Sequence, residues 1–91
     1  MPTVRIPPVL RTQTGGQKQL QTPGSTVGEV ITSLTTAHPG LREQLLTADG
    51  SLNRFVNVFV NGSDVRYLQE LETPIAETDT LILLPAMAGG G

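Results

Sequence analysis

Cysteine is missing from this 91-residue sequence, and its absence excludes disulfides, thiolate nucleophiles and cysteine-ligated metals. Tryptophan is missing too, and the aromatic set is Phe55, Phe59 and Tyr67 alone. A core must therefore be built from Val, Leu and Ile. That suffices for a small sheet backed by one helix, but not readily for a domain with a deep catalytic pocket. The length allows one domain. No apolar run approaches the ~20 residues of a membrane-spanning helix, and no charged start followed by an apolar stretch marks a signal peptide. A cytoplasmic protein is the expectation. Basic runs are also lacking: the six Lys and Arg are scattered and the net charge is −2, so neither a nucleic-acid nor a membrane partner is expected. A mild asymmetry places Arg5, Arg11 and Lys18 early and Glu70, Glu72, Glu77 and Asp79 late. It reads as a solvated surface first and a charge-guided docking face second.

Catalytic constellations are scarce. His38 is the one histidine, placed at an expected helix C-terminus where a cation is mildly favoured, and it reads as structural or solvent-facing. Glu70/Glu72 and Glu77/Asp79 lack the cleft that paired acid and base need. Thr14-Gly15-Gly16-Gln17-Lys18 lacks the spacer and the hydroxyl residue of a phosphate-binding loop. No metal site and no bound cofactor are expected, and a stand-alone enzyme is not.

Alternation over residues 3–10 predicts a strand, with Pro7 and Pro8 at its end or on an unpaired side. Glycines at 15 and 16 supply a turn, and Lys18 to Gln21 predicts a second strand. Thr26 with Glu29 three positions on marks a helix start. Val27, Val30, Ile31, Leu34 and Ala37 then form one apolar stripe, which Pro39-Gly40 ends. Leu41 to Leu46 can form one or two further turns. Residues 54–60 are the strongest strand signal, Asn61-Gly62 is a tight turn, and Asp64 to Arg66 reads as a short strand. Residues 67–79 read as irregular. Thr80 to Leu84, apolar on both faces, predicts a central strand. This order describes an α+β, ubiquitin-like β-grasp: a mixed sheet of about five strands on one main helix.

Within that sheet Val56, Val58, Val60, Leu81 and Leu83 face the helix, whereas Phe59, Ile82 and Leu84 face away. Either those three residues form a docking patch, or the 41–46 segment or the 67–79 stretch covers them. Beyond a domain spanning 1–85 comes a tail, 86–91, expected to be flexible: Ala86-Met87-Ala88-Gly89-Gly90-Gly91. A carboxylate on successive glycines is unhindered, and a backbone without β-carbons can enter a narrow slot. The glycines alone fit a frayed or leftover terminus equally well.

The run Phe55 to Arg66, then Leu71-Glu72-Thr73-Pro74-Ile75, then Leu83 to Gly90, resembles the ThiS/MoaD family of ubiquitin-like sulfur carriers. The resemblance covers nearly the whole chain. It implies a protein cosubstrate that is not itself an enzyme. An E1-like adenylating enzyme would receive Pro85, Ala86, Met87, Ala88, Gly89 and Gly90 as a threaded tail and adenylate the terminal glycine with ATP. Sulfur would then displace AMP to leave a thiocarboxylate. The opening strand and chain length most resemble the branch serving cysteine biosynthesis. That branch implies a pyridoxal-phosphate cysteine synthase as sulfur acceptor and a zinc-dependent JAMM-type peptidase; thiamin, molybdopterin and specialised metabolites stay open as other destinations. The family pattern ends in Gly-Gly, so either Gly91 is the activated end or it is trimmed to Gly90. Two alternatives share the fold and tail: a ubiquitin-like modifier conjugated to lysines, and a molybdopterin synthase small subunit.

Overall fold

The computed structural model describes residues 1–85. Its first strand, β1, covers only Thr3–Arg5, after which the chain winds through a 3-10 segment, Pro8–Thr14. Proline is the reason the strand stops short of residue 10. Pro7 and Pro8 have no N–H for a ladder, and Pro8 takes the first position of the 3-10 segment, where none is needed. Buried Thr14 steadies the following turn, its hydroxyl 3.0 Å from the Gln17 carbonyl and 3.2 Å from that of Arg11. Strand β2, Gln19–Gln21, then returns antiparallel to β1, completing the expected hairpin.

Helix α1, Val27–Ala37, begins where the capping signal lies: Thr26 Oγ1 accepts the Glu29 N–H at 3.1 Å. The reciprocal bond is displaced by one residue, because Glu29 Oε1 accepts from both the N–H and the hydroxyl of Ser25 at 2.9 Å. Val27, Val30, Ile31 and Leu34 are buried, but Ala37 is exposed. Its single methyl borders a shallow depression of about 100 Å³ between α1 and the end of β2 and does not fill it. A 3-10 turn at Pro39–Leu41 leads into one-turn helix α2, Arg42–Leu45, and sets Leu41 and Leu45 fully in the core.

Strand β3, Val56–Val60, starts two residues later than its β-rich sequence suggests. The Asn53 side-chain carbonyl accepts the Phe55 N–H at 2.9 Å and turns Arg54-Phe55 out of the strand. Asn61 and Gly62 follow with φ of 49° and 91°, both positive as a type I′ hairpin requires. Strand β4 is Ser63–Asp64 and not Asp64–Arg66: the Asp64 carboxylate accepts the Arg66 N–H at 2.9 Å and diverts the chain into a 3-10 turn. A further 3-10 turn, Glu70–Glu72, interrupts the otherwise irregular stretch that follows. Strand β5, Thr80–Pro85, closes the described chain.

The sheet order is β2-β1-β5-β3-β4, with β1 and β5 parallel and the other neighbours antiparallel. This is the β-grasp, with β5 at its centre. Val4, Val56, Val58, Val60, Leu81 and Leu83 pack with the α1 stripe, Leu41 and Leu45 in one aliphatic cluster. Each such side chain contributes about 1.5–3 kcal/mol of burial. Residues 73–75 clamp the start of α1: the Val27 N–H donates to Thr73 O at 2.9 Å and the Ile75 N–H to Ser25 O at 3.0 Å.

Gly24 fixes the approach of that helix. Its φ is 151°, and a Cβ there would lie 2.6 Å from Val30 N and 2.7 Å from Val30 Cγ2. Gly24→Ala is expected to cost about 2 kcal/mol or more in urea unfolding, against roughly 1 kcal/mol for Gly15→Ala, where only the dihedral resists. Equal losses at the two sites would refute the close approach. Acid sensitivity follows from Asp79, which accepts from the Ala76 N–H at 2.7 Å and from Asn61 Nδ2 at 2.8 Å. These bonds, Ala76 foremost, hold its carboxyl below the ordinary 3.8. A carboxyl lowered on folding stabilises fully above its unfolded value and loses that contribution as pH falls through the folded one. Urea midpoints should therefore drop below about pH 4, and less steeply in Asp79→Asn; identical slopes would remove Asp79 from the account.

Candidate functional site

Strand alternation divides β3 and β5 into two surfaces. Asn57, Phe59, Ile82 and Leu84 face away from the helix, with Phe59 opposite Ile82 and Asn57 opposite Leu84 in the register. Directly paired outward side chains lie about 4.5–5.5 Å apart at Cβ, so Phe59, Ile82 and Leu84 form one apolar strip. Phe59 and Ile82 are half-buried, and Leu84 is 45% exposed. Neither segment that could have covered the strip does so. Leu41 and Leu45 lie in the helix-side core, and the 67–79 stretch packs over α1, where the Leu71 carbonyl lies 3.0 Å from the position of a Cβ on Gly28. Polar residues border the strip: Arg5 on β1, Gln19 and Gln21 on β2, and Asp64 on β4. An apolar centre with a polar rim is the usual make-up of a docking surface.

Asn57 stands out within it. Its Oδ1 is buried without a hydrogen-bond partner, the one such side-chain atom among the described residues. An orphan of that kind costs about 1–3 kcal/mol. A polar residue inside the run 55–60 was the available sequence signal for it.

The tail leaves from the same place. β5 ends at half-buried Pro85, paired with Val56, immediately after Leu84. Of the residues expected to thread into a partner, Ala86, Met87, Ala88, Gly89 and Gly90 lie outside the described residues, as does Gly91.

On the β1 side of Pro85 runs a groove of about 650 Å³. Ile82, Leu84 and Pro85 contribute from β5, Pro7, Pro8 and Val9 from the 3-10 side, and Arg5, Arg11 and Lys18 are the charged residues along it. Placing Pro7 and Pro8 at the end or on an unpaired side of a 3–10 strand does not disclose this groove, because the 3-10 bend that follows them is what forms its wall. His38 and the late carboxylates are not brought into it. Among the described residues no group of three His, Cys, Asp or Glu could hold a metal ion, and no helix is long and apolar enough to cross a membrane.

Known proteins share this fold. The sequence profile of the ThiS family matches residues 4–90. Sulfur carrier protein CysO of Mycobacterium tuberculosis is 47% identical over 90 residues, covering 97% of this chain and 97% of its own length. A chain in the crystal structure of the Amycolatopsis orientalis BexX/CysO complex superposes with a TM-score of 0.89 at 43% identity, covering 94% of this chain and 96% of that one. The solution structure of small archaeal modifier protein 1 from Methanosarcina acetivorans superposes with a TM-score of 0.84 at 30% identity, over 97% and 94% of the two chains. With a β-grasp centred on β5, an apolar strip beside Pro85 and a family match over almost every residue, the chain belongs to the ThiS family.

Proposed function

We propose that the chain is a sulfur carrier of the CysO kind, used by partner enzymes as a protein-sized cosubstrate in cysteine biosynthesis. The observation that carries this reading is positional. The central strand delivers the start of the tail, Pro85, to the edge of an uncovered apolar strip, in a chain 47% identical to a sulfur carrier protein. One partner can thus hold the strip while taking up the residues that follow.

The reacting group is the carboxylate of Gly91, or of Gly90 if the last residue is trimmed; the family match itself ends at residue 90. A carboxylate is a poor electrophile because it must expel oxide. Attack of its oxygen on the α-phosphorus of ATP releases pyrophosphate and turns that oxygen into part of an AMP leaving group. Sulfide then adds at the acyl carbon and AMP departs, leaving a glycyl thiocarboxylate. This anion is a soft nucleophile and hands its sulfur to an activated acceptor. ATP, pyridoxal phosphate and zinc sit in the partners: an E1-like adenylating enzyme, a cysteine synthase and a JAMM-type peptidase. The carrier's own part is to dock, to present an unhindered end and to stay folded. The setting is the cytoplasm, which suits a chain without cysteine.

A second reading, conjugation to target lysines, is favoured by the likeness to small archaeal modifier protein 1. Mass spectrometry of the protein from its own host separates the two. A thiocarboxylate adds about 16 Da by replacing oxygen with sulfur, whereas conjugation yields high-mass adducts on lysine, and adducts alone would overturn the carrier reading. The same spectrum reports whether 90 or 91 residues carry the sulfur.

Gly91→Phe should abolish pyrophosphate release with the adenylating enzyme while thermal unfolding stays unchanged; retained release would sink the mechanism. Phe59→Asp should weaken binding to that enzyme about tenfold or more, yet cost only ~1 kcal/mol of stability. A larger loss of stability than of binding would place Phe59 in the core and not at an interface.

A further inference from the structure

The charges of this chain are sorted along its length. No Asp or Glu precedes Glu29, while Arg5, Arg11 and Lys18 supply three of the six basic residues. The fold converts that order into a place. Arg5 points outward from β1 opposite Ile82. Arg11 is fixed by its Nε, which donates to the Ile6 carbonyl at 3.0 Å across the proline bend. Lys18 precedes β2, and its carbonyl accepts the Ile6 N–H at 2.8 Å. All three line the groove beside Pro85, and among the described residues no carboxylate does. The groove is therefore positive on a chain of net charge −2, and its walls are apolar, with Val9 65% exposed.

A contrasting hollow lies at the start of α1. It is lined by Pro23, Gly24, Thr26, Gly28, Glu29, Thr32 and Ser33, and its one ionisable group, Glu29, is already engaged by Ser25. The groove beside Pro85 keeps its cations available and shares Ile82 and Leu84 with the apolar strip.

We propose that this groove receives an acidic segment of the adenylating enzyme, one in which Asp or Glu side chains accompany apolar residues. This rests on the carrier reading and names the chemistry of its first partner. Apolar side chains of the segment cover Val9, Leu84 and Pro85, and its carboxylates meet Arg5, Arg11 and Lys18. Opposite charges across an interface govern encounter and partner choice more than raw affinity. They would align the carrier so that the residues after Pro85 lead into the active site. Arg11, held by Ile6, loses little freedom on pairing.

The test is ATP–pyrophosphate exchange by the adenylating enzyme of the same organism, with Arg5→Glu/Lys18→Glu as carrier. At low salt the KM for this variant should rise about tenfold or more with kcat unchanged, and the gap should close to roughly threefold or less at high salt. Arg5→Lys/Lys18→Arg should behave like the parent. A KM within about twofold of the parent at low salt, or a loss indifferent to salt, would overturn the proposal. No exchange with the unsubstituted chain would overturn the carrier reading itself, a result distinct from loss in the variant alone. Amide shifts provide a second measurement. A synthetic peptide of alternating Glu and Leu should move the amide resonances of Arg5, Ile6, Val9 and Arg11 and of Ile82 to Leu84, and its Lys-Leu counterpart should not. If deleting residues 86–91 instead moves the resonances of the opposite wall, Arg5, Ile6, Val9 and Arg11, the chain's own tail is the occupant and the proposal fails.

Discussion

The parallel pairing of β1 with β5 joins the two ends of the described chain, matching Thr3 to Thr80, Val4 to Leu81 and Arg5 to Ile82. Without it the sheet falls into the β1–β2 hairpin and a separate three-stranded piece, β5-β3-β4, and an isolated hairpin is marginal in water. Helix α1 would then have no continuous surface on which to bury its stripe. The pairing is non-local, yet the entropic cost of closing a longer loop grows only slowly with its length. Burial of Val4 and Leu81, both fully inaccessible, together with Leu83 and the α1 stripe, offsets it. Asn61 secures the other side of the strand, its Oδ1 accepting the Thr80 N–H at 3.0 Å while its Nδ2 reaches Asp79 at 2.8 Å.

Because β5 is central, its register sets the outer surface as well as the core. Side chains alternate with period two, so Leu81 and Leu83 are committed inward while Ile82 and Leu84 are left outward. A slip of one residue would exchange the two sets, destroying the core and the strip together. The same ladder fixes where Pro85 stands relative to Val56 and hence where the tail departs. The packed core and the position of Pro85 beside the strip are therefore two results of one hydrogen-bond register.

Local chemistry made much of this legible in the sequence. The Thr26 cap, the Asn61-Gly62 turn and the aliphatic spacing of α1 each rest on contacts a few residues apart, and each is where its residues imply. Phe59, Ile82 and Leu84 were legible because alternation carries across an antiparallel pair once both strands are placed. What escaped depends on side chains overriding the backbone pattern: Asn53 shortening β3, Asp64 ending β4, and the 3-10 course that the chain takes over Pro8–Thr14 once the prolines have ended β1. Escaping for a different reason, the grouping of Arg5, Arg11 and Lys18 requires the parallel register that sets Arg5 beside Ile82 and the bend that returns Arg11 to Ile6. No short window of sequence contains either fact. The glycines at 89–91 are the reverse case, plain in the sequence and outside the described residues.

Apolar contact is non-directional, and this bears on how a carrier can serve several enzymes without serving them indiscriminately. A strip made of Phe59, Ile82 and Leu84 offers similar burial to any protein with a complementary apolar face. Discrimination has to come from groups whose misplacement is costly: charges facing like charges, or polar atoms left without partners. In the carrier reading the first kind lies beside the origin of the tail, as the three cations of the groove. The groove exists because two prolines end β1 early and turn Val9 and Arg11 toward β5. The interruption that makes this strand a poor strand is thus what supplies its neighbour β5 with a basic flank.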